Sequence, residues 1–563
     1  MKVVIIGGVA GGATAAARIR RLDEQAEIVV FERSGFISYA NCGLPYYIGG
    51  TIENKNALTL QTPESFLKRF RVKMNVHHEI TAIHPESKTV TVKDLENGKV
   101  FIENYDKLLL SPGAKPIRPN LDGIDSNRIF TLRTVEDTLR IKKFIDEHYT
   151  ESAVVVGGGF IGIEAAENLR DLGINVTLVE ASNQLMAPFD GDMASFIHAE
   201  IRKSGINLML DTMVENFADD DFGLDIKLKN SSALRTDMVV MAIGVSPETT
   251  LAKDAGLETG IKGSIVVNDK METSVPDIYA VGDAVQIKNF VTDADTLISL
   301  AGPANKQGRI AADNICGGDS RYTGGQGSSV IKIFDMTAAA TGINEKTAKS
   351  LGIATDKVIL SPMSHAGYYP GGKMMTMKVL FEKETYRLLG AQIVGFEGVD
   401  KRIDVLATAI RAGMKAYELT ELDLAYAPPY SSAKDPVNMA GYIIENIKNG
   451  IVKQWYYEDD ETLPRDGSVT LLDTRTPVEY SMGHAEGFIN IPVDDMRERI
   501  DELDKDKPVY IMCQSGLRSY IASRILIGNG FDAYNFTGGF RYYAAVHSDR
   551  ALSKKSTPCG MDD

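Results

Sequence analysis

The apolar positions near the start of the chain form two short runs, separated by a glycine turn and a helical stretch. Residues 2–6 are dominated by β-branched side chains, residues 7–12 hold four glycines, and residues 13–21 are rich in Ala and Arg. A second apolar run at 28–31 ends at the acidic Glu32. This order predicts a strand, a tight turn, a helix and a second strand that ends in an acid.

The same order recurs later in the chain. The predicted elements there are a strand at 153–156, a glycine turn at 157–162, a helix through 172 and a strand at 175–179 that ends at Glu180. In such a unit the glycines let backbone N–H groups approach a pyrophosphate at a helix N-terminus, and the terminal acid accepts hydrogen bonds from ribose hydroxyls. We therefore expect two dinucleotide-binding units in one chain.

The two glycine turns match the dinucleotide motif unequally. The second turn fits G-x-G-x-x-G at Gly157, Gly159 and Gly162. The first turn has Gly7 and Gly12 in place, but Val9 occupies the middle glycine position. Alone, the first turn is equally consistent with an ordinary glycine-rich turn between a strand and a helix. Glu32 and the motifs that follow favour the dinucleotide interpretation.

The remainder of the chain alternates strands and helices in two further blocks. From 330 to about 447 the pattern predicts strands at 330–334, 378–381 and 388–394, followed by helices at 402–412 and 437–447. An acidic, Tyr-rich stretch around 455–466 is typical of a linker. Runs at 469–472 and 509–512 predict strands of a further small α/β unit, and 553–563 is a polar tail.

Composition and charge narrow the function classes. At roughly 100–200 residues per domain, 563 residues imply three to five domains. The 44% apolar and 24% charged residues are ordinary for a folded, water-soluble chain, and the net charge of −15 disfavours nucleic acid as a partner. Four scattered cysteines and eight histidines show no spacing for a disulfide framework or a metal site. We find no membrane-spanning or export segment and expect a cytoplasmic protein.

Three further motifs resemble the flavoprotein fold with two dinucleotide-binding domains. They are the string at 273–283, which ends in Gly282-Asp283, and the segments at 111–114 and 244–247. The resemblance implies an FAD domain at 1–111 and 247–325, interrupted by a nicotinamide domain at 112–246, with a dimerisation domain at 326–450. It also implies cofactor contacts from Gly7, Gly12, Glu32, Arg33, Ser111, Gly113 and Asp283 for FAD, and from Gly157, Gly159, Phe160, Gly162, Glu164 and Glu180 for NADH.

Cys42 lies in the segment 36–47, close after the first predicted unit, and is expected near the flavin. Many flavin-dependent disulfide reductases carry two cysteines here, but this chain has none at 37 or 47. A single thiolate can instead form a mixed disulfide with a small thiol or be oxidised to a sulfenic acid. The alternative is a buried structural thiol.

Residues 1–447 resemble the coenzyme A-disulfide reductases, in which a single cysteine is the redox centre. The resemblance implies a homodimer in which Tyr368 and Tyr426 reach the active site of the opposite subunit, although without it they are only loop aromatics. It also implies coenzyme A contacts from Thr14, Arg18, Arg21, Ser38, Asn41 and Lys434. A further family lysine near Phe70 is not matched, so which of Lys68, Arg69, Arg71 or Lys73 replaces it stays open.

The last block resembles a rhodanese sulfurtransferase domain over about 466–550, preceded by a linker at 451–465 and followed by a flexible tail at 551–563. Its motif Cys513-Gln-Ser-Gly-Leu-Arg-Ser519 predicts a loop whose backbone N–H groups, together with Arg518, favour the thiolate and then a persulfide of Cys513. A scaffold without activity is the alternative. Cys316 is expected to end a helix and to be structural, and Cys559 lies in the tail, where a role in sulfur relay is less favoured.

Together these patterns predict an α/β, tandem Rossmann-like flavoprotein with an α+β dimerisation domain and a C-terminal α/β rhodanese domain. The expected activity is NADH- and FAD-dependent reduction of persulfide, polysulfide, coenzyme A persulfide or coenzyme A disulfide through Cys42, coupled to a persulfide on Cys513. Persulfide or polysulfide reduction is preferred, with coenzyme A-disulfide reduction as a shared activity, and the sequence does not rank coenzyme A persulfide against coenzyme A disulfide. One alternative is an NADH oxidase or peroxidase that uses a sulfenic acid, although the histidine such peroxidases carry in the first turn is replaced by Ala10. The other is a sulfur-carrier adaptor with a redox-sensing flavin scaffold.

Overall fold

The computed structural model describes residues 1–229 and 233–555, and these residues form two compact units. The first unit contains Met1–Ala181 and Gly205–Gly327, and the second contains Ser182–Ser204 and the chain from Ser328 onward. Each unit has its own sheets and its own apolar core. Cys559 lies outside the described residues, as does most of the predicted tail.

The first unit contains two five-stranded sheets in which every strand is parallel to its neighbours. The first sheet has the order Ile278–Ala280, Lys107–Leu110, Lys2–Ile6, Glu27–Phe31 and Lys73–Asn75. The second sheet has the order Asn207–Met209, Asn175–Val179, Ser152–Val156, Met238–Met241 and Ile129–Thr131. Because Ile278–Ala280 follows the whole second sheet in the chain, the first sheet is built from segments on both sides of the second sheet.

Burial explains why these strands are nearly continuous apolar runs. Val3, Val4 and Ile5 are all fully buried, as expected when both faces of a parallel sheet are covered. The Ala-rich helix Ala10–Leu22 packs against Ala301–Ile315, and a Cβ on Gly308 would lie only 2.4 Å from the carbonyl oxygen of Gly11. The small residues at this crossing therefore allow the helix Ala301–Ile315 to pack closely against the first glycine turn.

Smaller elements complete the first unit. Two antiparallel three-stranded sheets comprise His78–His84, Thr89–Asp94 and Val100–Asn104, and Val214–Asp220, Gly223–Leu228 and Leu234–Thr236. A strand pair comprises Ala114–Pro116 and Val245–Pro247. A mixed three-stranded sheet comprises Ile265–Val266, Val285–Lys288 and Asp295–Thr296. The other helices are Leu44–Ile48, Pro63–Phe70, Val135–Glu147, Phe160–Asp171 and Thr250–Asp254, with single 3₁₀ turns at Asn41–Gly43, Lys55–Ala57, Ile261–Gly263 and Gly282–Ala284.

The second unit contains an antiparallel sheet and a parallel sheet. The antiparallel sheet has the order Ser329–Ile333, Met336–Gly342, Leu388–Gly395, Met375–Glu382 and Thr355–Leu360. The parallel sheet has the order Lys453–Trp455, Ala533–Phe536, Val509–Met512, Thr470–Asp473 and Ile489–Asn490. The helices are Gly191–Lys203, Glu345–Ser350, Val399–Arg411, Pro436–Lys448, Tyr457–Asp460, Pro477–Ser481, Leu517–Gly528 and Gly539–Lys555, with 3₁₀ turns at Ala416–Glu421 and Ile500–Glu502.

The prediction of a linker at 451–465 is wrong. Lys453–Trp455 pairs with Ala533–Phe536 as the edge strand of the parallel sheet, and the helix Tyr457–Asp460 follows directly. The Trp455 side chain is 1% exposed, and its indole N–H donates to the carbonyl of Ile511 at 3.2 Å. The stretch looked like a linker because its partner strand lies far along the chain. Similarly, the helix Gly539–Lys555 continues into the predicted tail.

A buried ion cluster joins the two sheets of the second unit to the helix Gly191–Lys203. We define it by Asp192, Lys357, Lys378, Glu458 and Tyr542. The ammonium of Lys378 lies 2.8 Å from Asp192, which also accepts a hydrogen bond of 2.7 Å from the Tyr542 hydroxyl. Lys357 pairs with Glu458 at 2.9 Å. Although burial opposes its charge, the surrounding carboxylates, Asp192 foremost, raise the pKa of Lys378. The ion cluster therefore ties three segments together.

Candidate functional sites

The first glycine turn has the geometry of a dinucleotide cradle. Gly7 has a φ of +93°, and a Cβ there would lie 2.1 Å from the carbonyl oxygen of Ser111. A Cβ on Gly12 would lie 1.9 Å from the Gly7 oxygen, so neither position tolerates a side chain. Val9, in the missing glycine position, precedes the helix Ala10–Leu22 without disturbing it. The carboxylate of Glu32 accepts a 2.9 Å hydrogen bond from the Gly8 N–H.

The second glycine turn repeats this construction. Gly157 has a φ of +110°, and a Cβ on Gly162 would lie 1.9 Å from its oxygen. A Cβ on Gly159 would meet nothing within 4 Å, so the backbone there is open to an approaching phosphate. Glu180 accepts a 2.7 Å hydrogen bond from the Gly158 N–H. Phe160 opens the helix Phe160–Asp171 that follows. Both turns thus have the acid at the strand end folded against the glycine loop.

The remaining predicted flavin contacts lie around the first turn. The amide of Ser111 donates to Ile6 at 2.8 Å, and Gly113 has a φ of +73°. Asp283 lies 3.3 Å from the guanidinium of Arg133, and burial raises the pKa of its carboxyl despite that arginine. Arg33 is exposed and lies 3.8 Å from Glu248. Arg133 could not be identified from the sequence, because its contact with Asp283 depends on packing between distant segments.

Cys42 lies between the two dinucleotide-binding turns. Its segment is tied to the first turn by a hydrogen bond of 2.9 Å from the Ser38 N–H to the Gly8 oxygen. The helix after it, Leu44–Ile48, packs against Phe160–Asp171 of the second turn. Cys42 is exposed at the surface of this segment. Although the residue as a whole is exposed, its sulfur is partly shielded from water. This desolvation raises the pKa of the thiol, the charge of Glu164 raises it further, and Arg133 lowers it.

Glu164 is the acidic group that acts on Cys42 from the second turn. It projects from the helix Phe160–Asp171, and burial together with the nearby Glu167 raises the pKa of Glu164 to about 7. A carboxyl with that pKa exchanges its proton near neutral pH. Glu167 was not singled out from the sequence, although it lies three residues beyond Glu164 on the same helix.

Some of the predicted coenzyme A contacts of the first unit are already bound to other side chains, and others are free to bind a ligand. Arg18 is paired with Asp313 at 2.7 Å, so its charge is already neutralised, and Thr14 donates to Asn305 at 2.5 Å. Arg21 is exposed near the end of the same helix. The side-chain oxygen of Asn41, directly before Cys42, is buried and has no hydrogen-bond partner among the described residues. An orphaned acceptor beside the cysteine fits a ligand that supplies a donor there.

Near Phe70, the basic residues are exposed and lie on both sides of the helix end. Arg71 has a φ of +49° and lies 3.6 Å from Glu24, whereas Lys68, Arg69 and Lys73 extend from the surface. Of these four basic residues, Arg71 therefore forms an ion pair within the described part of the chain.

The predicted tyrosine pair lies in the second unit and is formed within one chain. The hydroxyls of Tyr368 and Tyr426 are 2.6 Å apart, and their side chains are 75% and 45% exposed. The hydrogen bond raises the pKa of Tyr426. Two neighbours, Tyr369 and Tyr430, are also exposed, at 43% and 72%. Lys434, the sixth predicted coenzyme A contact, is exposed in the same unit.

Cys513 is held in a loop that solvates its sulfur with protein donors. It follows the strand Val509–Met512 and precedes the helix Leu517–Gly528, whose N-cap Gly516 has a φ of +99°. The Cys513 Sγ accepts hydrogen bonds of 3.2 Å from the Gly516 N–H and from the Ser519 hydroxyl. Such donors stabilise a thiolate or persulfide anion. Ser519, the last residue of the motif, is a contact that the sequence analysis did not assign.

The sequence suggested that Arg518 stands free beside the Cys513 sulfur, but in the structure this side chain has a carboxylate partner. Both ends of its guanidinium bind Glu479 at 2.7 Å, and the capping geometry of the helix Pro477–Ser481 fixes that carboxylate. The hydrogen bond to Glu479 is the main cause that raises the pKa of Arg518, and the charge of Cys513 adds to it. In turn, Arg518 lowers the pKa of Glu479 to about 2. The support that Arg518 gives to the Cys513 anion is thus largely offset by Glu479.

Three further observations concern Cys316, metal ligands and the helices of the described residues. Cys316 caps the helix Ala301–Ile315 and is half-buried, in accord with a structural role. Within the stretches 1–229 and 233–555, no three His, Cys, Asp or Glu side chains are grouped to hold a metal ion. In the same stretches, every helix is too short or too polar to cross a bilayer.

Two parallel sheets, each with a glycine turn, and a thiol between the two turns define a dinucleotide-dependent oxidoreductase. Comparison with known protein families agrees with this class. Residues 1–308 match the pyridine nucleotide-disulphide oxidoreductase family, 328–436 its dimerisation domain and 458–545 the rhodanese-like domain. The chain belongs to the pyridine nucleotide-disulphide oxidoreductase family and carries a rhodanese domain after the dimerisation domain. The predicted fold class is confirmed.

Three relatives are similar over long stretches. The crystal structure of reduced Bacillus anthracis CoADR-RHD is 48% identical, covers 98% of both chains and has a TM-score of 0.95. A NAD-dependent persulfide reductase from A. fulgidus is 37% identical, with a TM-score of 0.91, over 96% of this chain and 100% of the other. Coenzyme A disulfide reductase from Staphylococcus aureus strain JH9 is 38% identical over 442 residues, 78% of this chain and 99% of the relative.

Proposed function

We propose that the chain is an NADH- and FAD-dependent reductase of persulfides and of coenzyme A disulfide that works through Cys42, coupled to sulfur transfer at Cys513. The observation that carries the proposal is the position of Cys42, held against the first glycine turn through Ser38 and against the second through the helix Leu44–Ile48. A thiol placed between two dinucleotide turns can exchange electrons with one bound group and be reached by a small sulfur substrate.

The residues of the first unit suit FAD at the first turn and NADH at the second. When bound, the two groups supply hydride transfer from the nicotinamide and electron transfer to a disulfide. Glu180, hydrogen-bonded to the second turn, disfavours a 2′-phosphate by charge repulsion, so NADH should be preferred to NADPH. Phe160, at the start of the helix Phe160–Asp171, would lie beside the nicotinamide. Asp283 and Arg133, 3.3 Å apart, would lie beside the flavin.

Cys42 performs the sulfur chemistry in this proposal. Its thiolate attacks the inner sulfur of a persulfide R–S–SH, forms a mixed disulfide with R–S, and releases HS⁻ as the S–S bond breaks. Two electrons then cleave the mixed disulfide to the Cys42 thiolate and R–S⁻. Coenzyme A disulfide reacts in the same way, with a coenzyme A thiolate as the leaving group. The unpartnered Asn41 oxygen beside Cys42 is an acceptor for an amide N–H of the substrate arm.

A homodimer completes the proposed reductase. The exposed, hydrogen-bonded pair of Tyr368 and Tyr426 can deliver a proton to a leaving thiolate from the opposite subunit. Four exposed tyrosines on one domain are more apolar surface than a solvated loop needs. For coenzyme A, the exposed cations Arg21 and Lys434 are better phosphate partners than Arg18, which Asp313 already neutralises.

The rhodanese domain supplies a second thiol with its own role. Cys513, with two hydrogen-bond donors on its sulfur, accepts a sulfane sulfur and passes it to a small thiol, whose persulfide is then the substrate for Cys42. Fusion of the two domains keeps this product near the reductase, which raises its effective concentration.

NADH oxidation, followed anaerobically except in the arm that supplies oxygen, tests the proposal against its rivals. The flavin-loaded protein is assayed side by side with coenzyme A persulfide, coenzyme A disulfide, hydrogen peroxide and oxygen. Turnover of the first two, lost in Cys42→Ser protein that still shows flavin reduction by NADH, is the expected result. Faster turnover of peroxide or oxygen would favour an oxidase or peroxidase. Negligible NADH turnover with every acceptor, alongside sulfur transfer to a protein, would favour a sulfur-carrier adaptor.

A further inference from the structure

The arginines beside the Cys513 loop are largely neutralised by carboxylates. Arg475 pairs with Asp473 at 2.7 Å, and both side chains are buried. Arg518 pairs with Glu479 through two hydrogen bonds of 2.7 Å. A third guanidinium, that of Arg541, lies 5.8 Å above the ring of Phe196. The positive charges of Arg475 and Arg518 are therefore offset by the carboxylates they bind, whereas Arg541 has no carboxylate partner among the described residues.

Exposed apolar side chains flank the ion pair between Glu479 and Arg518. Val478 and Met482, on and after the helix Pro477–Ser481, are 69% and 83% exposed. Leu517 and Ile521, one turn apart on the helix Leu517–Gly528, are 65% and 40% exposed. These two helices are the ones that the ion pair joins, so each of them carries exposed apolar groups near one end of the pair. Such a rim suits an uncharged aliphatic chain.

These charges bear on the sulfur donor that Cys513 accepts. Thiosulfate is a dianion, and its attack by a thiolate brings three negative charges together while Arg475 and Arg518 are already paired with carboxylates. A protonated organic persulfide is neutral at the reacting sulfur. The Cys513 thiolate attacks the terminal sulfur of R–S–SH, the S–S bond breaks, R–S⁻ leaves and Cys513 becomes a persulfide, so that charge and electrons balance.

We propose that Glu479 determines the donor specificity of the rhodanese site: by neutralising Arg518 it favours organic persulfides with an uncharged arm over thiosulfate. The inference rests on the proposed sulfurtransferase role of Cys513 and adds to it the class of donor and the residue that selects it. Glu479 is a positioning residue, because it acts through Arg518 and not on the sulfur.

The variant Glu479→Gln tests this in the full-length, flavin-loaded protein. Glutamine can keep the capping hydrogen bond to the helix while losing the charge that holds Arg518. The matched control is Glu486→Gln, which removes the same charge from an exposed position. The donors are thiosulfate and the persulfide of N-acetylcysteamine, an uncharged arm. The readout is the kcat/KM for persulfide formation on Cys513, followed by mass spectrometry.

The native protein should prefer the organic persulfide, and Glu479→Gln should shift the ratio of the two kcat/KM values toward thiosulfate by at least about tenfold. Glu486→Gln should leave the ratio unchanged. Val478→Lys, which adds a cation on the exposed rim without touching the core, should shift the ratio in the same direction even if Glu479→Gln folds poorly.

Three results would overturn the inference. The first is a native protein that uses thiosulfate as well as the organic persulfide. The second is an unchanged ratio in both Glu479→Gln and Val478→Lys. The third is thiosulfate turnover that depends on Arg541, lost in Arg541→Gln, which would assign anion recognition to that residue. If neither donor modifies native Cys513, the proposed sulfurtransferase role itself fails, and that outcome is distinct from all three.

Discussion

The two cysteines that we propose to be reactive differ in the groups that act on their sulfur atoms. Cys513 is fully buried, and its sulfur accepts hydrogen bonds from Gly516 and Ser519 of its own loop. Cys42 is exposed, and among the described residues no donor contacts its sulfur, while burial of the thiol and Glu164 raise its pKa. Cys513 therefore has an anion site encoded in seven consecutive residues. Cys42 is governed by groups from distant parts of the first unit.

The largest expected effect separates the two sites. Cys42→Ser should lower NADH-dependent turnover of coenzyme A disulfide and coenzyme A persulfide by more than about 10³-fold, because S–S cleavage needs a thiolate nucleophile. Flavin reduction by NADH, measured by stopped-flow bleaching, should survive. Sulfur transfer to Cys513 should also survive. Retained disulfide turnover would assign the chemistry to another cysteine.

The reciprocal substitution tests the independence of the loop. Cys513→Ser should abolish persulfide formation in the rhodanese domain and leave reduction of preformed coenzyme A persulfide within about twofold of native, since Cys42 does not share its donors. Steady-state NADH oxidation with each substrate measures this. A parallel fall of coenzyme A disulfide reduction in fully flavinated protein would make Cys513 an obligatory relay.

A smaller effect is expected from one donor of the loop. Ser519→Ala removes a hydrogen bond of 3.2 Å to the sulfur and should slow persulfide formation on Cys513 about tenfold, the value of one hydrogen bond to a charged group. Ser523→Ala, whose hydroxyl donates to Tyr520 on the same helix, is the matched control. Equal losses in the two variants would mean that the effect comes from the helix and not from the sulfur contact.

The smallest effect concerns the pKa of Cys42. Glu164 has a pKa of about 7, so above neutral pH it is ionised and raises the pKa of the thiol. Glu164→Gln should therefore lower the pH midpoint of Cys42 alkylation by iodoacetamide, by less than about one unit. The exposed Glu53→Gln should leave the midpoint in place. A midpoint that rises in Glu164→Gln would reverse the assigned sign.

This contrast also explains what the sequence could predict. The glycine turns and the Cys513 loop are local motifs, in which spacing alone determines which backbone groups converge, and they lie where predicted. Arg133, which acts on Cys42, and Glu479, which neutralises Arg518, act across long separations that no local pattern encodes. The strand at Trp455 was missed for the same reason, because it pairs with a segment near the other end of its domain.

The buried ion cluster has a consequence for shortened forms of the fused chain. Loss of the gene segment that encodes the rhodanese domain would remove Glu458 and Tyr542, and with them a partner of Lys357 and a donor to the buried Asp192. Lys357 would keep Glu345 at 2.8 Å and Asp192 would keep Lys378 at 2.8 Å, so neither charge would be left unpaired, but both pairs would be opened to water. A chain shortened before the rhodanese domain should therefore be less stable around Lys357 than the full chain.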